Sequence, residues 1–277
     1  MTVDRSTLDA ALRGALVALA EELAGIARDE TLRWFRHPDL QAQSKPGSGF
    51  DPVTEADRAA EAAMRAHLAR HRPRDGILGE EMGTQAGVSG LTWIIDPIDG
   101  TRGYLAGTPC WSVLIALADR DGPFLGVIDQ PYIGERFLGG LGQARSDGPL
   151  GRRRLGTRAT GALSEAILST TFPEIGTEAE RAGFARVQAQ VRLTRYGMDG
   201  YAYALLAAGQ IDLVIEAGLK PYDIAAPRAV IEAAGGIVTD WTGGPVGASG
   251  QVLAAANPAL HVQAMALLQG ERAPKLR

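Results

Sequence analysis

Trp93-Ile94-Ile95-Asp96-Pro97-Ile98-Asp99-Gly100-Thr101 decides how this chain is read. Three apolar residues drive a strand to its end, where Asp96 emerges. Pro97 has no amide to give to a sheet ladder, and Gly100 lets the backbone turn and approach a ligand closely. Two carboxylates three residues apart around such a turn converge on one point. Hard divalent cations need oxygen ligands in that arrangement, and Mg2+ takes only a few carboxylates, leaving its other positions to water and substrate phosphate. The amides of Gly100 and Thr101, at a helix start, can then hold phosphate oxygens. Taken alone, the same residues also read as a strand followed by an Asp-Pro turn.

Working outward, Gly79-Glu80-Glu81 ends an earlier apolar run, and Lys220-Pro221-Tyr222-Asp223 precedes an Ala-rich helix closed by Glu232-Ala233-Ala234-Gly235-Gly236. In isolation the first is a solvated turn, and Asp223 is a helix N-cap. Upstream of both lies Phe50-Asp51-Pro52-Val53-Thr54-Glu55-Ala56-Asp57, in which Thr54 and Asp57 have the spacing of a helix start.

The flanking texture divides the chain. Leu8, Leu12, Leu16, Leu19, Leu23 and Ile26 predict an amphipathic helix from about Ser6, with Ser6 and Asp9 as its capping box. From Ile77 short apolar runs predict a sheet: Ile77-Leu78, Trp93-Ile94-Ile95, Trp111 to Ala118, Phe124 to Ile128 and Glu135 to Leu138, with Asp121-Gly122 as a hairpin signal. Beyond a Gly/Arg-rich stretch at 139–156, helix and strand alternate: Ala166 to Thr171, Glu178 to Gln190, Gly200 to Ala208, Ile211 to Ile215, Ile224 to Ala234 and Gly236 to Thr239. The seam between an N-terminal α+β subdomain (1–145) and a C-terminal α/β subdomain (146–277) falls near residue 145.

The 277 residues carry 28 Lys+Arg against 32 Asp+Glu, with 45% hydrophobic residues, which excludes disorder and fibrous architecture. That length suits roughly two domains or one larger layered fold. A single cysteine, Cys110, excludes a disulfide framework or Cys-rich zinc site, suits the cytoplasm, and reads as a small buried residue beside the strand from Trp111. No run is long enough to span a bilayer and no signal peptide is expected. The short cluster Arg152-Arg153-Arg154 reads as a solvated loop, and nucleic acid is not expected as a partner.

The four acidic segments, in this order and at these separations, resemble the inositol monophosphatase superfamily over roughly residues 45 to 260. The resemblance implies an alternating layered αβαβα sandwich of the fructose-1,6-bisphosphatase type. It also implies Mg2+-dependent hydrolysis of a small-molecule phosphate monoester, and commonly a homodimer. It carries the metal ligands onto Glu80, Asp96, Asp99, Asp223 and the main-chain carbonyl of Ile98. Thr101 with Glu80 would orient the attacking water, and Lys45 and Asp57 would stand behind or beside the metals. Glu216 would contact the organic part of the substrate, or else is a surface acid at a strand end.

Within the superfamily the chain is most similar to the histidinol-phosphate phosphatase branch. The residues that carry this are Phe50 to Glu61, Leu193-Thr194-Arg195-Tyr196-Gly197-Met198-Asp199 with Tyr201-Ala202-Tyr203, and Ile215 to Asp223. Tyr222 stands where inositol phosphatases usually have tryptophan, and Asp199 where they tend to have a small residue. Substrate contacts are therefore expected from Asp99, Arg195, Gly197, Asp199, Glu216 and Asp223, with Arg195 and Asp199 alternatively forming a local ion pair. Inositol-1-phosphatase or a broader sugar or nucleotide phosphatase is the second reading. A third, from another class, is an interaction protein in transcription or ribosome assembly.

Charge arithmetic supports the metals independently. Glu80, Asp96, Asp99 and Asp223 brought within a few ångströms repel one another and take up protons unless cations intervene. Two or three Mg2+ ions supply roughly +4 to +6. Mg2+ is therefore expected to raise the melting temperature as its site fills. Titrating Mg2+ into chelated protein checks this, and a flat response counts against the site.

Overall fold

The computed structural model describes residues 5–44, 52–247 and 249–273. Helix α1 (Ala10–Trp34) starts at Asp9, whose carboxylate accepts the Leu12 amide at 2.7 Å. Asp9 is thus the N-cap and not the third residue of a box; Ser6 lies in a preceding 3-10 turn, Arg5–Thr7. Leu16, Leu19 and Leu23 are buried, as their spacing predicts. Strands β1 (Ala42–Ser44) and β2 (Pro52–Thr54) pair antiparallel and lead into α2 (Glu55–His71). Here the predicted box is present: the Asp57 carboxylate accepts the Thr54 amide at 2.8 Å, and Thr54 Oγ1 accepts the Ala56 amide at 3.1 Å.

The chain then builds one large sheet from β3 (Gly76–Gly79), β4 (Gly83–Gln85) and β5 (Thr92–Asp99), a short helix α3 (Thr101–Leu105), and β6 (Ser112–Asp119), β7 (Gly122–Gln130), β8 (Glu135–Gly140), β9 (Gln143–Asp147) and β10 (Arg153–Arg154). Its order is β10-β9-β8-β7-β6-β5-β3-β4, antiparallel except for the β3–β5 pair. The run from Val113 to Ala118 is apolar because both faces of β6 are covered. Val113, Ile115 and Leu117 enter one core, and Leu114 and Ala116 enter the next. The stretch 139–156 is more than a break, since β9 and β10 lie in it. Arg153 and Arg154 are exposed on the edge strand, where charge discourages pairing with another chain. Strand β9 crosses the expected seam at residue 145, and the chain leaves this sheet only after Arg154.

The second sheet comprises β11 (Ile167–Thr170), β12 (Leu193–Tyr196), β13 (Leu213–Glu216), β14 (Ile237–Thr239) and β15 (Val252–Ala255), in the order β12-β11-β13-β15-β14. Helices α4 (Glu178–Gln188), α5 (Asp199–Ala207), α6 (Pro221–Ala233) and α7 (Pro258–Leu268) intervene or follow. Helices α1 and α2 cover the outer face of the large sheet, α5 and α6 lie between the two sheets, and α4 and α7 cover the far face. The result is the αβαβα sandwich. No helix of the described residues is long and apolar enough to cross a membrane.

One contact sets the position of α6. A Cβ on Gly126 of β7 would lie 2.4 Å from the Ala226 carbonyl oxygen, so only glycine lets this helix rest its backbone on the sheet. Gly126→Ala is expected to cost about 1–3 kcal/mol, the usual penalty for overpacking. Chemical denaturation measures it, and an unchanged midpoint would show that α6 yields freely.

Candidate active site

Strand β5 does not stop at Asp96. It continues to Asp99 through a bulge: Asp96 pairs with Leu114 and Asp99 with Ser112, so Pro97 and Ile98 drop out of register. The irregularity accommodates the missing amide of Pro97. The carboxylate of Asp96 accepts the Ile98 amide at 3.1 Å, and Asp96 is buried. Gly100 then turns the chain with φ +87 into α3, and a Cβ there would sit 2.9 Å from Asp199 Cγ. The Thr101 hydroxyl donates to the Ile98 carbonyl at 3.0 Å. Tyr104 anchors α3 to α1 by donating from its hydroxyl to the Thr31 carbonyl at 2.6 Å.

Helix α6 begins three residues earlier than the sequence reading placed it, with Pro221 in its first turn. Asp223 is therefore at the third position of the helix, not at its cap, and its carboxylate accepts the Lys220 amide at 2.7 Å. The structure brings one carboxylate oxygen each of Asp96, Asp99 and Asp223 within 4.8 Å of one another. Glu80 lies outside this trio but lines the same cavity of about 300 Å3. Ile98, Gly100, Thr101, Asp199 and Glu216 line it too.

Burial pushes Asp96 and Asp99 well above the usual carboxylate range. The charge of Glu80 adds most to the shift at Asp96, and that of Asp199 at Asp99. Burial likewise raises Asp223 to about 7 and Asp57 to about 7, the latter against hydrogen bonds from Thr54. One oxygen of Asp57, Oδ1, is buried with no hydrogen-bond partner among the described residues. An all-oxygen donor set whose members are driven toward protonation fits a hard divalent cation, which would replace the protons.

At the other side of the cavity, Glu216 accepts from the Thr171 amide at 2.6 Å, the Thr171 hydroxyl at 2.9 Å and the Thr170 hydroxyl at 3.2 Å; burial still raises it to about 7. It is a buried strand-end acid, not a surface one. Asp199 opens α5 with φ +44 and is raised to about 6 by burial, opposed by the Arg102 guanidinium. Arg102, and not Arg195, is thus the cation beside Asp199. Arg195 is exposed on the edge strand β12, Gly197 is exposed just after it, and neither lines the cavity. Asp199 thus lines the cavity with a left-handed backbone, whereas Arg195 stays on the edge strand. Lys45 lies outside the described residues. Cys110 is half-buried, with burial raising its thiol.

Among the cavity residues that escaped the sequence reading of the site are Arg102, Phe172 and Tyr203. Arg102 follows Thr101 directly and rests on the Phe172 ring, 5.0 Å from its centroid. Phe172 follows β11 in a stretch with no local signal. Tyr203, nearly fully buried, reaches the cavity from α5; only the cluster of tyrosines in Tyr201-Ala202-Tyr203 hinted at it.

Residues 12–273 match the inositol monophosphatase family. The chain is 42% identical over 231 residues to the chloroplastic bifunctional phosphatase IMPL2 of Arabidopsis thaliana, covering 79% of this chain and 66% of that protein. It is 36% identical over 257 residues to the histidinol-phosphatase of Streptomyces coelicolor, covering 90% of this chain and 95% of that one. A solved inositol monophosphatase structure from Zymomonas mobilis aligns with a TM-score of 0.82 at 38% identity, covering 95% of this chain and 100% of the other.

The raised carboxyl values fix a pH dependence. A carboxyl that binds its proton more tightly when folded stabilises the fold below its unfolded value near 4, and that stability is lost as pH rises through the folded value. Asp57, Asp96, Asp99, Asp199, Glu216 and Asp223 act in this sense; His261, lowered by burial, opposes them as a single group. Chelated protein is expected to melt lower at pH 8 than at pH 5.5, and saturating Mg2+ to narrow the gap. Calorimetry at both pH values checks this; equal melting temperatures without metal would contradict it.

Proposed function

The chain belongs to the inositol monophosphatase family of phosphoric monoester hydrolases, and on that premise we propose that it is a Mg2+-dependent histidinol-phosphatase, releasing L-histidinol and phosphate. The observation that carries the substrate choice is the pair of carboxylates, half-buried Asp199 and buried Glu216, lining the cavity with the acidic trio. Histidinol phosphate bears an ammonium group that two carboxylates can hold. Inositol is neutral apart from its phosphate and offers these acids no cation. The resemblance to the Streptomyces enzyme supports the same choice. A homodimer in the cytoplasm belongs to this reading.

Asp96, Asp99, Asp223, Glu80 and the Ile98 carbonyl would hold two or three Mg2+ ions. When bound, the metal lowers the pKa of a coordinated water and neutralises charge on the leaving oxygen. Thr101 and Glu80 would point that water at phosphorus, the Thr101 hydroxyl already being fixed on the Ile98 carbonyl. The amides of Gly100 and Thr101 would steady the phosphate oxygens, with Asp57 behind. No nucleophilic side chain is needed, since the only cysteine has a raised pKa and no histidine lines the cavity.

The second reading, hydrolysis of inositol-1-phosphate, rests on the likeness to the Zymomonas protein. Comparing kcat/KM for histidinol phosphate, inositol-1-phosphate and an adenosine bisphosphate separates the two. The first is expected to be preferred, and Asp199→Asn to reduce that preference by roughly tenfold through the lost charge-assisted contact. A tenfold preference for inositol-1-phosphate overturns the substrate assignment. Asp96→Asn is expected to abolish most turnover on every ester while the fold survives; near-normal turnover overturns the metal-assisted reading.

A further inference from the structure

We propose that Glu61 and Arg65 of α2 are positioning residues for Glu80, fixing the hairpin turn that presents it to the metals. The proposal rests on the metal-dependent reading above. Glu80 occupies the three-residue turn between β3 and β4, a short connection at the edge of the large sheet. On one side its amide donates to the Ile95 carbonyl at 3.2 Å, which sets Glu80 beside the strand carrying Asp96. On the other side, the next two amides, of Glu81 and Met82, both donate to the Glu61 carboxylate, at 2.8 and 3.1 Å.

Glu61 is fully buried, and its oxygen Oε1 also accepts Arg65 Nε at 2.7 Å, one helical turn on. Arg65 in turn donates to the Gly83 carbonyl where β4 begins. One carboxylate and one guanidinium thus hold both ends of the turn, and they are anchored in a helix that packs on the sheet. The fit has a signature in the chain: a Cβ on Gly79 would lie 2.0 Å from Glu61 Oε1, so a larger residue there would displace the carboxylate from its place at the turn.

A buried acid costs desolvation, which makes it a poor choice for packing alone. Arg65 cancels its charge locally, and the carboxylate is left to organise backbone amides. Without it the turn that carries Glu80 would lose the two amide bonds that tie it to α2.

The test uses Mn2+ as probe, its free form counted by electron paramagnetic resonance, on the wild type, Glu61→Gln and Arg65→Ala. The comparator is Asp75→Asn, which removes a buried charge bonded to Arg72 and Trp93 at the opposite end of β3. Glu61→Gln and Arg65→Ala are expected to weaken Mn2+ binding by roughly tenfold or more, the usual effect of removing a group that orients a ligand. They are also expected to shift the half-activating Mg2+ concentration by the same factor and to leave KM for the ester within about twofold at saturating Mg2+. Asp75→Asn is expected to lower the melting temperature while keeping wild-type Mn2+ affinity. Wild-type affinity in Arg65→Ala, which answers even if Glu61→Gln does not fold, overturns the proposal. An equal loss in Asp75→Asn overturns it as well. A wild-type chain that takes up no Mn2+ overturns the metal reading itself, a result distinct from normal uptake in every variant.

Discussion

Acids that repel one another are held together in a buried cleft, and much of the architecture follows from that constraint. Asp96 and Asp99 come from a bulged strand, Asp223 from the first turn of a helix in the middle layer, and Glu80 from a hairpin at the sheet edge. No single local element could bear such crowding, because a flexible loop would relax away from it. Each acid is instead tied by main-chain bonds: Asp96 to the Ile98 amide, Asp99 to the Gly200 amide, Asp223 to the Lys220 amide, and the Glu80 backbone to Ile95. The rigidity resides in the sandwich, and the acids inherit it.

Much of this was legible along the chain wherever a local pattern has a local cause. The Thr54 capping box and the apolar run of β6 are legible, because local spacing fixes them. Other features depend on partners distant in sequence. The bulge that lets β5 continue through Pro97 is set by pairing with β6. The polar strands β9 and β10 have no buried face to give them an alternating pattern, so they read as loop. Arg195 was expected beside Asp199, yet the backbone at Asp199 takes a left-handed turn and meets Arg102 instead. Helix α1 began at Asp9 because a carboxylate there reaches an amide that Ser6 does not.

The electrostatics of the cleft are graded. The acids nearest the bulge are raised most, by burial and by each other, whereas Asp199 is relieved by Arg102 and Glu216 by three donors from Thr170 and Thr171. A cation therefore gains most at the trio, and a weaker, organic cation can be accommodated farther out.

The trio draws on the large sheet and on α6, whereas Glu216 ends β13, Phe172 follows β11 and Asp199 opens α5. On the proposed reading, the acids that would hold metal and the groups that would touch the rest of the ester are thus carried by different elements, so a replacement on β13 or after β11 leaves the backbone of β5 and α6 undisturbed.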